Sequence, residues 1–187
     1  MRKILVGVAA AGLVAVGCGK KGTTSSAGST ASAAPAAKKA GGKIESRSGS
    51  KVTGDVLFVQ GADGKVAVTV HVAGAAPGDH GVHLHEKGDC SAPDAASAGG
   101  HFNPAGQAHG APTSAHHHAG DFGNIHVGAD GTGTLTLTSS DLSVAPGPNS
   151  VVGHGLIVHE KADDMMTQPT GNAGGRQGCA VISAMGS

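Results

Sequence analysis

The sequence predicts an all-β domain built as a sandwich or a barrel. Short runs of alternating apolar residues, turn signals between them and the lack of helical periodicity support this prediction. The clearest run is residues 66–72, where four valines occupy every second position, as in a strand with one buried face. Asp-Gly pairs at residues 63–64 and 130–131 are typical of tight turns between antiparallel strands.

Residues 1–17 have the pattern of an export signal. Arg2 and Lys3 provide a basic start, residues 4–16 are almost wholly apolar, and small residues precede Cys18. The pattern that ends in cysteine resembles the lipobox of bacterial lipoproteins, in which the cysteine carries lipid. We therefore predict a lipoprotein signal peptide over residues 1–17 and a lipid anchor on Cys18. Ordinary secretion with cleavage elsewhere is the alternative.

Residues 18–43 are rich in Ala, Ser and Lys and show no apolar periodicity. Such a segment cannot bury a core, so we predict a disordered tether there and a folded domain over residues 44–187. Residues 46–187 hold six basic and twelve acidic residues, a net charge of −6. This acidic domain argues against nucleic acid as a partner.

Within the domain, strand-like segments alternate with turns and with two long irregular segments. We predict strands near residues 52–58, 66–72, 82–86, 124–127, 133–138, 150–158 and 179–182. The irregular segments, near 86–124 and 160–178, are longer than ordinary loops of a compact domain, so each must be functional or tied down. The histidines and cysteines of the chain offer two ways to tie these segments down, namely metal ligation and a disulfide.

His83 and His85 lie two residues apart in the apolar, strand-like run that begins near Gly81. Alternate residues of a strand point to the same face, about 7 Å apart at the backbone, so both imidazoles can reach one metal ion. A strand whose polar face happens to carry two histidines explains this short motif equally well. The remaining histidines must decide between the two interpretations.

The chain has twelve histidines, and histidine is the commonest metal ligand. Several further histidines lie in the irregular segments or at a strand end: His101, His109, His159 and the run His116, His117, His118 before Asp121. A set of histidines with an aspartate suits zinc, and an all-histidine set suits copper or zinc. Spacing alone does not assign each histidine to a metal.

Six motifs, in order along the chain, resemble those of copper/zinc superoxide dismutases. They are HLHEKGDC (83–90), GHFNP (100–104), HGAP (109–112), HAGDFGN (118–124), VHEKADD (158–164) and GNAGGR (171–176), followed by Cys179. The resemblance extends from about residue 52 to residue 182. It implies an eight-stranded Greek-key β-barrel or sandwich, immunoglobulin-like, with two long functional loops.

The resemblance also implies a ligand set for each of two metal ions, copper and zinc. The copper ligands would be His83, His85, His101 and His159. The zinc ligands would be His101, His109, His118 and Asp121. His101, which occurs in both sets, would bridge the two ions. His116 and His117 remain competitors of His118 for zinc, although the spacing to Asp121 in this family favours His118.

Further roles follow from the same resemblance. Arg176 would lie beside the copper and attract the anionic substrate, which makes Arg176 and His101 the candidate catalytic residues. Asp163 would be a carboxylate that links His83 to His109. Cys90 and Cys179 would form a disulfide, and a lipidated Cys18 would then account for the odd cysteine.

The implied function is dismutation of superoxide to oxygen and hydrogen peroxide. The implied location is the cell envelope, in the periplasm or on the outer surface, with the lipid held in a membrane. The main alternative is a non-catalytic module that binds or delivers copper and zinc, and a second is a purely structural surface lipoprotein. The sequence leaves the oligomeric state open, with a homodimer as one alternative.

Overall fold

The computed structural model describes residues 38–186, which form nine β-strands and one 3₁₀-helical turn at Ala96–Ala98. In chain order the strands are β1 (Lys38–Ser46), β2 (Thr53–Gln60), β3 (Val66–Ala73), β4 (Gly78–His85), β5 (Asp121–Val127), β6 (Thr132–Ser139), β7 (Gly155–His159), β8 (Arg176–Val181) and β9 (Ser183–Met185). The signal peptide and Cys18 lie outside the described residues. Among residues 38–186, no helix has the length and apolar character needed to cross a membrane.

All strand pairs are antiparallel, and they close into a barrel. The order is β1-β2-β3-β6-β5-β4-β7-β8, and β8 returns to pair with β1. Strand β9 follows β8 after a break at Ile182 and pairs with the first part of β1, so β8 and β9 form one interrupted barrel strand. The predicted eight-stranded, all-β barrel is confirmed, and its crossovers between non-consecutive strands are those of a Greek key.

Small aliphatic side chains fill the barrel, with a few phenylalanines between them. Val66, Val68, Val70 and Val72 of β3 are all buried, as their alternation predicts. Phe58 of β2 is fully buried against the ring of Phe122, with the ring centroids 6.3 Å apart. Each large aliphatic side chain that is withdrawn from water contributes about 1.5–3 kcal/mol, so the core stabilises the barrel without Trp or Tyr.

Strand β4 is buried on both faces. Val82 and Leu84 point into the barrel core, whereas His83 and His85 lie on the other face and are also shielded from solvent. The irregular segments after β4 and β7 cover this second face. The fold therefore gives β4 one apolar side for packing and one histidine side beneath the loops.

The predicted boundary of the folded domain at residue 44 is wrong by six residues. Strand β1 begins at Lys38, and residues 38–44 pair with β2. A Cβ on Gly41 would collide with the carbonyl of Val56, and one on Gly42 with the carbonyl of Val181. Glycine at these positions thus lets β1 lie close to its neighbouring strands. Because β1 lacks a clear alternation of apolar and polar residues, the sequence does not reveal it as a strand.

Candidate metal centre

Four buried histidines converge where β4, the loop after it and the end of β7 meet. They are His83, His85, His101 and His159. Each offers one ring nitrogen to a common point, and these four nitrogens all lie within 4.8 Å of one another. The arrangement depends on tertiary structure, since His85 of β4 pairs with His101 through an isolated bridge and β7 lies beside β4.

The second nitrogen of three of these rings is held by a hydrogen-bond acceptor. His83 Nε2 donates to Asp163 Oδ2 at 2.8 Å, His85 Nδ1 donates to the Gly99 carbonyl at 3.0 Å, and His159 Nδ1 donates to the Gly174 carbonyl at 3.2 Å. The opposite nitrogens, Nδ1 of His83 and Nε2 of His85 and His159, are buried without a hydrogen-bond partner. Such converging lone pairs fit a metal ion, because a buried polar atom is otherwise paired.

A second group lies beside the first and combines three rings with a carboxylate: His101, His109, His118 and Asp121. Asp121 Oδ1 lies 2.9 Å from His101 Nδ1, 3.0 Å from His109 Nδ1 and 3.3 Å from His118 Nδ1. Four ligands about 2.0 Å from a tetrahedral zinc ion would lie about 3.3 Å apart. The donor set and its spacing therefore fit zinc.

His101 belongs to both groups. Its Nδ1 faces Asp121, and its Nε2 is one of the buried nitrogens without a hydrogen-bond partner. Its ring stacks on that of His83, with the centroids 3.9 Å apart. One imidazole therefore presents a nitrogen to each group.

Asp163 supports both groups from behind. Its two carboxylate oxygens lie 2.8 Å from His83 Nε2 and 3.0 Å from His109 Nε2. Both hydrogen bonds are fully buried. Although these three side chains lie as close together as a metal-binding group, their mutual hydrogen bonds account for the arrangement.

Burial and neighbouring rings favour neutral histidines in the metal-free protein. Burial lowers the pKa of His83 and His85 well below the ordinary value, and it lowers the pKa of His159 to about 4. For Asp121, burial raises the pKa, but hydrogen bonds from the His101 ring and from the amides of His118 and Gly110 outweigh it, so the pKa falls to about 2. Neutral imidazoles and an ionised carboxylate are the forms that bind metal.

The loop after β4 also carries the acceptors for Arg176. Its guanidinium donates to the carbonyls of Ala95 and Gly99, each at 2.7 Å. A disulfide between Cys90 and Cys179 ties the start of this loop to β8, the strand that begins with Arg176. Disulfides persist in oxidising compartments, so this bond agrees with a location outside the cytoplasm.

A family model described as copper/zinc superoxide dismutase (SODC) matches residues 52–182. The chain belongs to the copper/zinc superoxide dismutase family. A Cu-Zn superoxide dismutase 2 from Brassica juncea is 45% identical over 141 residues, which cover 72% of this chain and 91% of that protein. The crystal structure of the clock protein EA4 matches with a TM-score of 0.72 and 36% identity, over 79% of this chain and 94% of the other.

As a copper/zinc superoxide dismutase, the chain is an oxidoreductase that converts superoxide to oxygen and hydrogen peroxide, with copper and zinc as cofactors. Its all-histidine group and its histidine–aspartate group correspond to the copper and zinc sites of the family, with His101 common to both. The family resemblance predicted from the motifs is confirmed.

The structure separates the three consecutive histidines that compete for the zinc group. His118 joins Asp121, whereas His116 Nδ1 lies 2.9 Å from the side-chain oxygen of Gln107. His117 Nε2 lies 3.6 Å from Asp141 Oδ2 at the surface. Neither His116 nor His117 points its ring at the metal centre.

Two residues near the site, His80 and Asn124, make contacts that the sequence does not predict. His80 is buried in β4, with Nδ1 2.9 Å from the carbonyl oxygen of His159. Asn124 pairs its amide with both peptide groups of Asp163, at 2.7 and 2.9 Å. Both contacts join residues far apart in the chain, so no local pattern predicts them.

Proposed function

We propose that the two buried groups divide the metals as the donor types suggest. His83, His85, His101 and His159 would hold copper, and His101, His109, His118 and Asp121 would hold zinc. Copper would supply the one-electron redox chemistry of the dismutation, and zinc a fixed positive charge. The observation that carries the proposal is His101, whose two ring nitrogens face the two groups.

The protein's own residues then orient the ligand rings, attract the substrate and transfer a proton. His101 Nε2 is the atom at which the chain can hold and release a proton, because Nδ1 is committed to the zinc group. Asp163 fixes the orientation of two ligand rings, since each of its oxygens accepts from one of them. Arg176 supplies a positive charge that attracts superoxide within a domain whose net charge is negative.

A superoxide-consumption assay tests the copper assignment. Wild-type protein loaded with copper and zinc should be active, and His159→Ala should lose nearly all activity and bind copper more weakly. His71→Ala is a matched control, because His71 is exposed on β3 and contacts Asp55 instead of the metal centre. Full activity in His159→Ala would reject the assignment.

The alternative, a non-catalytic module that buffers or delivers metal, retains the same ligands but not the turnover. Protein with full copper occupancy and no superoxide consumption would support that alternative. Arg176 argues for the enzyme, because a storage site has no need of a cation beside the copper ligands. Activity measured together with copper content separates the two functions.

We also propose that Cys18 carries lipid after removal of residues 1–17, and that the residues before β1 tether the barrel to a membrane of the cell envelope. The small residues before Cys18 and the basic, apolar start of the chain support this proposal. Mass spectrometry of the mature N-terminus would detect the acyl groups, and Cys18→Ser should release the protein from membranes.

Homodimer formation is a separate alternative to a monomer, and sedimentation of the purified protein distinguishes the two.

A further inference from the structure

We infer that Gln168 is a positioning residue for the metal centre, acting through the zinc ligand His109. The inference rests on the proposed assignment of His109 to zinc and adds a residue that the family motifs do not include. Gln168 belongs to the loop between β7 and β8, whereas His109 belongs to the loop between β4 and β5. The contact therefore joins the two long loops at a metal ligand.

The carboxamide of Gln168 pairs with both peptide groups of His109. Gln168 Oε1 accepts from the His109 amide at 2.8 Å, and Gln168 Nε2 donates to the His109 carbonyl at 2.9 Å. Nε2 also donates to the Met166 carbonyl at 3.2 Å. These partners determine the orientation of the carboxamide. In a flipped carboxamide, Nε2 would face the His109 amide, donor against donor, and Oε1 would face the two carbonyl oxygens.

His109 needs such a partner because it lies in irregular structure. Buried peptide groups must be hydrogen-bonded, and a strand or helix normally provides the partners. Within residues 38–186, Gln168 is the hydrogen-bond partner of both the amide and the carbonyl of His109. The side chain thus replaces the neighbouring strand that would otherwise hold the backbone of this ligand.

Gln168 is itself held in a turn with its own support. Asp164 accepts from the amides of Met166 and Thr167, at 2.9 and 2.8 Å, and from the Thr167 hydroxyl at 2.6 Å. Gly171 closes the turn by hydrogen bonds with Asp164 and Thr167. A Cβ on Gly171 would collide with Asp163 Oδ1 beside His109 Nε2, so the turn lies directly against the buried Asp163–His109 pair.

The ring and the backbone of His109 are therefore fixed by the same loop, through Asp163 and Gln168 respectively. Loss of the Gln168 contacts leaves the His109 ring hydrogen-bonded to Asp163, but the His109 backbone then has no side chain to hold it. Contacts that orient a metal ligand typically change metal affinity by about 10–100-fold. Because Gln168 is an exposed residue and its hydrogen bonds to His109 are only partly buried, we expect the lower end, about a tenfold faster release of zinc.

The experiment measures zinc release into excess chelator from protein loaded with copper and zinc. Gln168→Ala removes the carboxamide, and Gln168→Met removes the hydrogen bonds while retaining the volume of the side chain. The matched control is Gln60→Ala, because Gln60 also accepts from loop amides, those of Val144 and Ala145, at a place without metal ligands. The visible spectrum of Co²⁺ in the zinc site gives a second readout.

Both Gln168 variants should release zinc about ten times faster than wild type and change the Co²⁺ spectrum, whereas Gln60→Ala should do neither. Equal release rates in all variants, or faster release in Gln60→Ala to the same extent, would overturn the inference. His109→Ala separates this result from the zinc assignment. If His109→Ala retains zinc as wild type does, the assignment fails; if it loses zinc while the Gln168 variants do not, only the role of Gln168 fails.

Discussion

Arg176 and His85 are joined through a single carbonyl oxygen, that of Gly99. Arg176 Nη2 donates to it at 2.7 Å, and His85 Nδ1 donates to it at 3.0 Å. The other acceptor of the guanidinium is the carbonyl of Ala95, which is fully buried in a left-handed conformation with φ of 56°. A non-glycine residue in this conformation costs on the order of 1–2 kcal/mol. The loop keeps this strained geometry, and it holds the guanidinium at a fixed position relative to a copper ligand.

Substitution of Arg176 should lower the rate of superoxide consumption without unfolding the barrel. Arg176→Ala removes the positive charge, and we expect kcat/KM to fall about tenfold or more, because the acidic domain then repels the substrate anion. Arg176→Lys should recover part of the rate, since a lysine keeps the charge but cannot donate to two carbonyls in one plane. Stopped-flow assays at increasing ionic strength measure both effects.

The salt dependence decides how Arg176 acts. If it steers the substrate by charge, the rate of Arg176→Ala should depend on ionic strength differently from that of wild type. Arg176→Lys should follow wild type. A salt profile that is the same for all three proteins would contradict electrostatic steering.

Asp163→Asn should weaken one of the two metal groups. An asparagine has one acceptor oxygen in place of two, so one of the ring nitrogens of His83 and His109 loses its buried partner. A buried donor without an acceptor costs roughly 1–3 kcal/mol, and the freed ring is also less well oriented as a ligand. Thermal unfolding of metal-free protein and titration with copper and zinc measure the two consequences. Asp130→Asn is a matched control, because Asp130 accepts hydrogen bonds from Thr132 in the exposed turn between β5 and β6, and it should change metal binding much less.

The stability of the metal-free protein should fall as the pH decreases from about 6.5 to 4. Burial lowers the pKa of His83, His85 and His159, the last to about 4, whereas histidines of the unfolded chain titrate near 6.5. In this window the unfolded chain binds protons that the folded protein excludes, so acid favours unfolding. His159 alone accounts for roughly 3 kcal/mol by pH 4.

Urea unfolding of metal-free protein at pH 7, 5.5 and 4.5 checks this dependence. His159→Gln should show a smaller loss over the same range, because it removes one of the buried groups that titrate. The low pKa of Asp121, about 2, stabilises the folded protein at pH values above the unfolded value near 3.8, and this contribution is lost only as the pH falls from about 3.8 towards 2, so it stays nearly constant in this window. A stability that stays constant from pH 7 to 4.5 would contradict the prediction.

Loss of the disulfide should lower the free energy of unfolding and weaken copper binding. Cys90 and Cys179 are 89 residues apart, and closing a loop of that length restricts the unfolded chain by roughly 4–5 kcal/mol. The Cys90→Ala, Cys179→Ala double variant should therefore melt roughly 10 °C or more below wild type. It should also bind copper more weakly, because the loop between Cys90 and His101 carries the acceptor of His85. Calorimetry and copper titration measure the two effects, and unchanged copper affinity would limit the disulfide to a role in stability.

The metal centre was predictable to the extent that its residues occur in contiguous motifs. His83, His85 and Asp121 lie in short segments whose residue types and spacing are typical of the family. The valines of β3 were equally predictable, because one face of the strand is buried and the other is not. Local pattern and tertiary environment agree at these positions.

Features that depend on tertiary contacts were not predictable in this way. Strand β1 contains lysines and glycines that resemble a tether, and it becomes a strand only because β2, β8 and β9 surround it. His80 and Gln168 acquire partners 79 and 59 residues away in the sequence. Their positions follow from the closed barrel and from the packing of one long loop on the other, neither of which has a signature in nearby residues.

The circular pairing of the strands also affects how copies of the protein behave when they are crowded together. A strand at a sheet edge exposes peptide groups that can pair with another chain and begin aggregation. Within residues 38–186 the barrel closes where β8 pairs with β1, but β5 and β6 share a single residue pair, Val127 with Gly133, so most of β6 pairs only with β3. Between crowded copies, strand exchange can therefore begin at the unpaired side of β6, whereas closure of the barrel through β1 and β8 protects most of the other strands.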